Sequence, residues 1–267
     1  MTLTPAIHHY DRWVSTPNGR LFTRTWEPDR IRSEVPILLF HDSLGCVDLW
    51  RNFPEALCAA TRQRVIAYDR LGFGRSDASS IPLPLSFIDD EARGNFAAIC
   101  HALQVTRFIA LGHSVGGCMA VHCAGYYFSQ CQGLVTIAAQ AFNENRTRQG
   151  IEEAKATFQT PEQFAKLVKY HGNKARWVFD AWTDTWLSPE FAAWSLTPAL
   201  ERVRCPTLVL HGEKDEYGSH RQPERIARYT QGPAHCEMLP GIGHVPHREA
   251  EAVVVEFIRQ FIFRLDD

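Results

Sequence analysis

The pentapeptide Gly112-His113-Ser114-Val115-Gly116 constrains this chain more than any other stretch. The run before it, Arg107-Phe108-Ile109-Ala110-Leu111, is short and apolar and predicts a buried strand. The run after it, Gly117-Cys118-Met119-Ala120-Val121-His122-Cys123-Ala124, is small and apolar and predicts a helix packed closely on a sheet. Strand, sharp turn and helix is the setting in which a Gly-x-Ser-x-Gly serine is presented as a nucleophile. The turn holds the serine in a strained backbone conformation, and the flanking glycines remove side chains that would collide there. The hydroxyl then sits at a strand tip beside a helix N-terminus.

The surrounding pattern is that of an α/β protein. Residues 8–14 and 21–26 predict two strands around Pro17-Asn18-Gly19-Arg20, a hairpin signal. Residues 35–41 form a near-continuous apolar run, as expected of a buried parallel strand. Further strands are predicted at 64–69, 133–139, 207–211 and 236–239, and helices at 50–61 and 89–103. Residues 249–264 form an amphipathic closing helix. Such alternation predicts a mostly parallel sheet with helices on both faces. It breaks once, between 143 and 197, where helical patterns at 147–158, 161–170 and 175–195 appear with no strand. The expected organisation is therefore a core of residues 1–142 and 198–267 with a helical insertion at 143–197.

A length of 267 residues is ample for such a core. The formal net charge of −2 offers no electrostatic footprint for nucleic acid or an anionic membrane. The first ten residues lack the basic start and apolar stretch of a signal peptide, and no apolar run approaches membrane-spanning length. None of the eight cysteines forms a Cys-x-x-Cys pair, which argues against a zinc site or a disulfide frame and suits a reducing cytoplasm. Cys205 and Cys236 each precede a predicted strand, so a bridge between them stays open.

A serine hydroxyl needs a base, and the base needs an acidic partner. On this kind of sheet the order along the chain is serine, acid, histidine, each just past the C-terminal end of a strand. Asp215, in His211-Gly212-Glu213-Lys214-Asp215-Glu216, is the expected acid, with Glu213, Glu216 and Glu144 as competitors. His244, in Gly241-Ile242-Gly243-His244, is the expected base, with His247 as the fallback. The amide of Val115 and that of Ser43, in the loop His41-Asp42-Ser43-Leu44-Gly45, are the expected oxyanion donors. The same loop also reads as an ordinary strand-to-helix connection capped by Asp42 or Ser43. No cofactor and no metal ion is expected.

These pieces, together with Trp50 and Asp69-Arg70-Leu71-Gly72-Phe73-Gly74-Arg75-Ser76, resemble the α/β-hydrolase fold superfamily, in its serine hydrolase and esterase branch with a helical cap. The resemblance covers nearly the whole chain. It implies a Ser114–His244–Asp215 triad and a loop-locking role for the stretch from Asp69 to Ser76. Asp42 departs from the pattern, which usually has glycine there; its side chain reshapes the oxyanion loop or adds a charge beside it. Haloalkane dehalogenases and epoxide hydrolases of this fold carry aspartate where this chain has Ser114, so acyl transfer is implied instead.

The favoured expectation is hydrolysis of a small-molecule carboxylic ester through an acyl-enzyme. Carbon–carbon, lactone and thioester hydrolysis or perhydrolysis would use the same machinery, and a weakly catalytic ligand receptor is a further alternative. The insertion holds four of the seven tryptophans, Trp177, Trp182, Trp186 and Trp194. Such rings more commonly glue one layer to another, but a face shared by Trp182 and Trp186 would also roof an acyl or alcohol group.

Overall fold

The computed structural model describes residues 5–265. Eight strands form one sheet: β1 (Ile7–Thr16), β2 (Gly19–Pro28), β3 (Ser33–Phe40), β4 (Gln63–Tyr68), β5 (Phe108–His113), β6 (Cys131–Ile137), β7 (Thr207–Gly212) and β8 (Ala234–Leu239). Their spatial order is β1-β2-β4-β3-β5-β6-β7-β8. β2 runs antiparallel to both its neighbours, and every pair from β4 to β8 is parallel. The helices are α1 (Phe53–Thr61), α2 (Phe87–Arg93), α3 (Asn95–Ala102), α4 (Val115–Tyr126), α5 (Asn145–Thr157), α6 (Pro161–His171), α7 (Ala175–Leu187), α8 (Thr197–Leu200), α9 (Arg221–Tyr229), α10 (Pro246–Glu249) and α11 (Glu251–Phe263).

The apolar runs are buried on both faces because strand residues alternate between two cores. Leu38, Phe40 and Ala110 join one core, with residues of α2, α3 and α4. Ile37, Leu39, Ile109 and Leu111 join the other, with residues of α1 and α11. Parallel strands put all their C-terminal ends on one edge, so the loops after β3, β5, β6, β7 and β8 meet there. α5, α6 and α7 lie between β6 and β7 in sequence.

Several sequence expectations are corrected. The helix expected over 89–103 is two helices, split at Gly94, whose ψ of −98° leaves the helical range. The helix expected to reach 195 stops at Leu187, because Ser188 precedes Pro189 and is extended (φ −64°, ψ 146°). The sequence expectations omit α9: RQPERIARY is polar overall, and Gln222, Pro223 and Ile226 make only a short buried face. Cys205 does not meet Cys236. Cys236 pairs in register with Val209, and Cys205 Sγ instead lies 3.7 Å from Cys131 Sγ. Among the described residues all eight cysteines are free thiols.

Candidate active site

Ser114 follows directly on β5 and precedes α4 with φ 55° and ψ −127°, a conformation that costs a non-glycine residue. The turn is tight. A Cβ on Gly112 would lie 2.1 Å from the Gly116 carbonyl oxygen, and one on Gly116 would lie 2.0 Å from the Phe40 oxygen. Only glycine fits at either place, and the second contact presses the elbow against the end of β3.

The structure brings the three expected side chains together. His244 Nε2 lies 3.0 Å from Ser114 Oγ, and His244 Nδ1 lies 2.9 Å from both Asp215 oxygens. Asp215 is fully buried and also accepts the amides of Tyr217 and Gly218. Burial works against its charge, but the facing His244 and His211 and the Tyr217 amide hold its pKa below the ordinary carboxylate value. Burial likewise opposes an imidazolium at His244, yet the charge and hydrogen bond of Asp215 outweigh it and raise the pKa of His244. Nδ1–H therefore points at Asp215, which leaves Nε2 free to accept the Ser114 proton.

The competing acids are engaged elsewhere. Glu144 accepts the Ser219 amide and the Gln222 side chain, Glu213 accepts the Gly241 amide, and Glu216 accepts the His244 amide at 3.2 Å. His247 is buried against Trp50 and His113, with ring centroids 4.8 and 4.6 Å away.

Val115 opens α4, so its amide is among those that helix geometry leaves without an intrahelical partner. In the loop after β3, Asp42 Oδ1 accepts the Leu44 amide at 2.8 Å and the Asp42 carbonyl accepts the Gly45 amide. Ser43 lines the cavity above Ser114. The side chain of Asp42 thus folds back to cap its own loop, and its other oxygen lies 3.3 Å from His113 Nδ1. The stretch from Asp69 to Ser76 is structural, as expected: Asp69 accepts the amides of Val47 and Arg75, and Ser76 Oγ donates to the Asp69 carbonyl.

A cavity of about 310 Å³ opens on Ser114 and His244. Leu44, Ile151, Phe158, Leu167, Trp182 and Trp186 give it an apolar wall. Trp182 and Trp186 of α7 thus face it. Trp177 packs on Phe73, and Trp194 stacks on Phe191. Two contributors escape the sequence pattern. Tyr217 packs on His244 with centroids 4.7 Å apart, and its place two residues after Asp215 is the only signal of it. His113, visible inside the pentapeptide, donates from Nε2 to the His244 carbonyl at 2.8 Å.

Residues 37–257 match the alpha/beta hydrolase family. The chain belongs to that family. The (lyso)-N-acylphosphatidylethanolamine lipase of Bos taurus is 30% identical over 132 residues, 49% of this chain and 38% of the lipase. The chain therefore matches well under half the length of that relative. Serine hydrolase BPHL of Mus musculus is 25% identical over 226 residues, 80% of this chain and 74% of that protein. Among solved structures, the proline iminopeptidase of Mycobacterium smegmatis superposes with a TM-score of 0.77 at 21% identity, covering 96% of this chain and 99% of that one. At that identity the likeness is one of fold. Among the described residues no helix is long and apolar enough to cross a membrane.

Proposed function

We propose that this alpha/beta hydrolase is a serine hydrolase that cleaves small carboxylic esters through an acyl-enzyme. The observation that carries this reading is the unbroken chain Ser114 Oγ–His244 Nε2, His244 Nδ1–Asp215. Ser114 attacks the carbonyl carbon as His244 takes its proton. The amides of Ser43 and Val115 receive the oxyanion, each such donor being worth about 10²–10³ in rate. The imidazolium, steadied by Asp215, then returns the proton to the departing alcohol. A water molecule, deprotonated by the same His244, releases the acid and restores Ser114. The names of the lipase and serine hydrolase relatives agree with this chemistry.

In this reading residues 143–197 act as a cap, and Trp182 and Trp186 roof the acyl or alcohol group of the substrate. Six of the eight free thiols are buried, which suits work in a reducing cytoplasm.

Turnover of short p-nitrophenyl esters tests the proposal, together with labelling by a fluorophosphonate. Ser114→Ala should abolish both while leaving the circular dichroism spectrum unchanged. Unchanged turnover in that variant rejects the assignment, and labelling without turnover favours a receptor over an enzyme. A panel that adds lactones, thioesters and vinylogous diketones tells which bond is cleaved best.

A further inference from the structure

We propose that Asp42, at the edge of the cavity, and the enclosed His113 form an ion pair that positions the site, holding the loop after β3 against the loop that carries His244. The proposal rests on the hydrolase reading of Ser114, since it concerns how the loops around that serine are aligned.

The geometry is a closed circuit. Asp42 Oδ1 accepts the Leu44 amide at 2.8 Å, Asp42 Oδ2 lies 3.3 Å from His113 Nδ1, and His113 Nε2 lies 2.8 Å from the His244 carbonyl oxygen. His113 precedes Ser114 directly, so a single ring links the loop of Ser43, the nucleophile elbow and the loop of His244. That ring is enclosed, with its side chain only 3% exposed. Both of its nitrogens face groups that can only accept, a carboxylate and a peptide carbonyl. A neutral imidazole has one N–H and would turn a lone pair on one of them. The ring is satisfied on both sides only when both nitrogens carry hydrogen.

The other groups around the pair agree. His247 packs on His113, and burial together with His113 and Arg248 holds its pKa well below the ordinary histidine value, so it brings no second cation. His244 also packs on His113, with ring centroids 5.1 Å apart, and Asp215, hydrogen-bonded to its Nδ1, answers its charge when it is protonated. Burial opposes the Asp42 charge, but the hydrogen bond and charge of His113, with Arg248, overcome it and keep the carboxylate ionised. An isolated carboxylate in this loop would repel an oxyanion at the neighbouring Ser43 amide. Pairing with His113 cancels most of that field.

The experiment has two arms. In the first, ring-¹⁵N-labelled histidine is observed by NMR at about pH 7.5, where an ordinary histidine is mostly neutral. The His113 signals are assigned from their loss in His113→Gln. Two protonated ring nitrogens are expected in wild type and in Ser114→Ala, falling to one in Asp42→Asn. A single protonated nitrogen in wild type overturns the ion pair. In the second arm, the rate of fluorophosphonate labelling of Ser114 reads alignment without requiring turnover. Asp42→Gly, which removes both tethers, should slow labelling by about 10-fold or more. Asp42→Asn keeps an acceptor for the Leu44 amide and offers N–H to the ring, so it should lose only about threefold. Labelling of Asp42→Gly at the wild-type rate overturns the positioning role. Because neither arm requires an ester to turn over, an absence of ester hydrolysis in wild type would reject the functional reading alone.

Discussion

His171, the last residue of α6, donates from Nε2 to the carbonyl of Leu44 at 3.0 Å. Its Nδ1 accepts the Gly74 amide at 3.0 Å. One neutral, buried ring thus fastens the inserted helices to two core loops, one of which offers the Ser43 amide. Lys174 adds to this seam by donating to the carbonyls of Phe73, Gly74 and Ser76. α5 makes a second seam: Arg146 donates to the Asp215 carbonyl and Thr147 to that of Tyr217. α5 and α6 are therefore tied to the loops that hold Ser43 and Asp215.

Removing the His171 ring should loosen that attachment. His171→Ala leaves a buried carbonyl and a buried amide without partners, each worth about 1–3 kcal/mol. The expected result is a clear drop in the thermal midpoint, with faster proteolysis between residues 143 and 197. An unchanged midpoint and an unchanged cleavage pattern would contradict it.

Activity should fall on the acid side of a midpoint above the ordinary histidine value of about 6.5. In the proposed mechanism only neutral His244 accepts the Ser114 proton, and Asp215 raises the pKa of that ring despite its burial. The profile of kcat/KM against pH measures it. Asp215→Asn removes the charge that raises this pKa and the acceptor that orients Nδ1–H, so kcat should drop by about 10³-fold or more. A midpoint below about 6.5 in wild type, or near-normal turnover in Asp215→Asn, would run against the assigned roles.

Much of this site is legible in the amino-acid sequence, for a definable reason. Ser114, Asp215 and His244 each follow a short apolar run, and an apolar run is the strongest local signal a sequence carries. The sheet is legible on the same grounds. What escapes is set by contacts between distant segments. The partner of Cys205 follows from the register of β6 and β7, and the role of Asp42 depends on His113, 71 residues away. The split at Gly94 and the polar helix α9 escape because neither interrupts nor makes an apolar pattern. Trp177 and Trp182 are indistinguishable by composition, and only the way α7 lies over the core separates the ring that faces the cavity from the one that packs on Phe73.

Stability should decline as pH falls below about 6.5. Burial lowers the pKa values of His41, His122, His171, His211 and His247 in the folded protein. The unfolded chain therefore binds more protons than the fold between each lowered value and about 6.5, and stability rises with pH through that window. His244 has a raised pKa and contributes in the opposite sense, losing stability as pH climbs through its folded value. Asp69, pushed up to about 6, and Glu91, also raised, oppose the trend between their ordinary carboxylate values and their folded ones. His244 acts above about 6.5, so below it five groups stand against two and leave a net fall. Thermal midpoints measured from about pH 6.5 down to 5.5 should decrease, and a flat or rising series would refute this balance.

Substrate length should depend on Trp182 and not on Trp177. Both rings sit on α7, but Trp182 borders the cavity over Ser114 and packs on Tyr217, which in turn packs on His244. Trp177 packs on Phe73, and its Nε1 donates to the Ile81 carbonyl, outside the cavity. Trp182→Ala removes one wall, so short acyl chains lose contact while longer ones gain room. Across a p-nitrophenyl ester series, kcat/KM should fall by about 10- to 200-fold for the shortest chains, the cost of about 1–3 kcal/mol of lost apolar contact, and the optimum should move to longer ones. Trp177→Ala should lower the thermal midpoint, since it removes a half-buried ring packed on Phe73, and leave the shape of the length profile as in wild type. If the two variants shift the optimum equally, the difference drawn between the rings is wrong; if Trp182→Ala alone shifts it, the roof of the site is on α7.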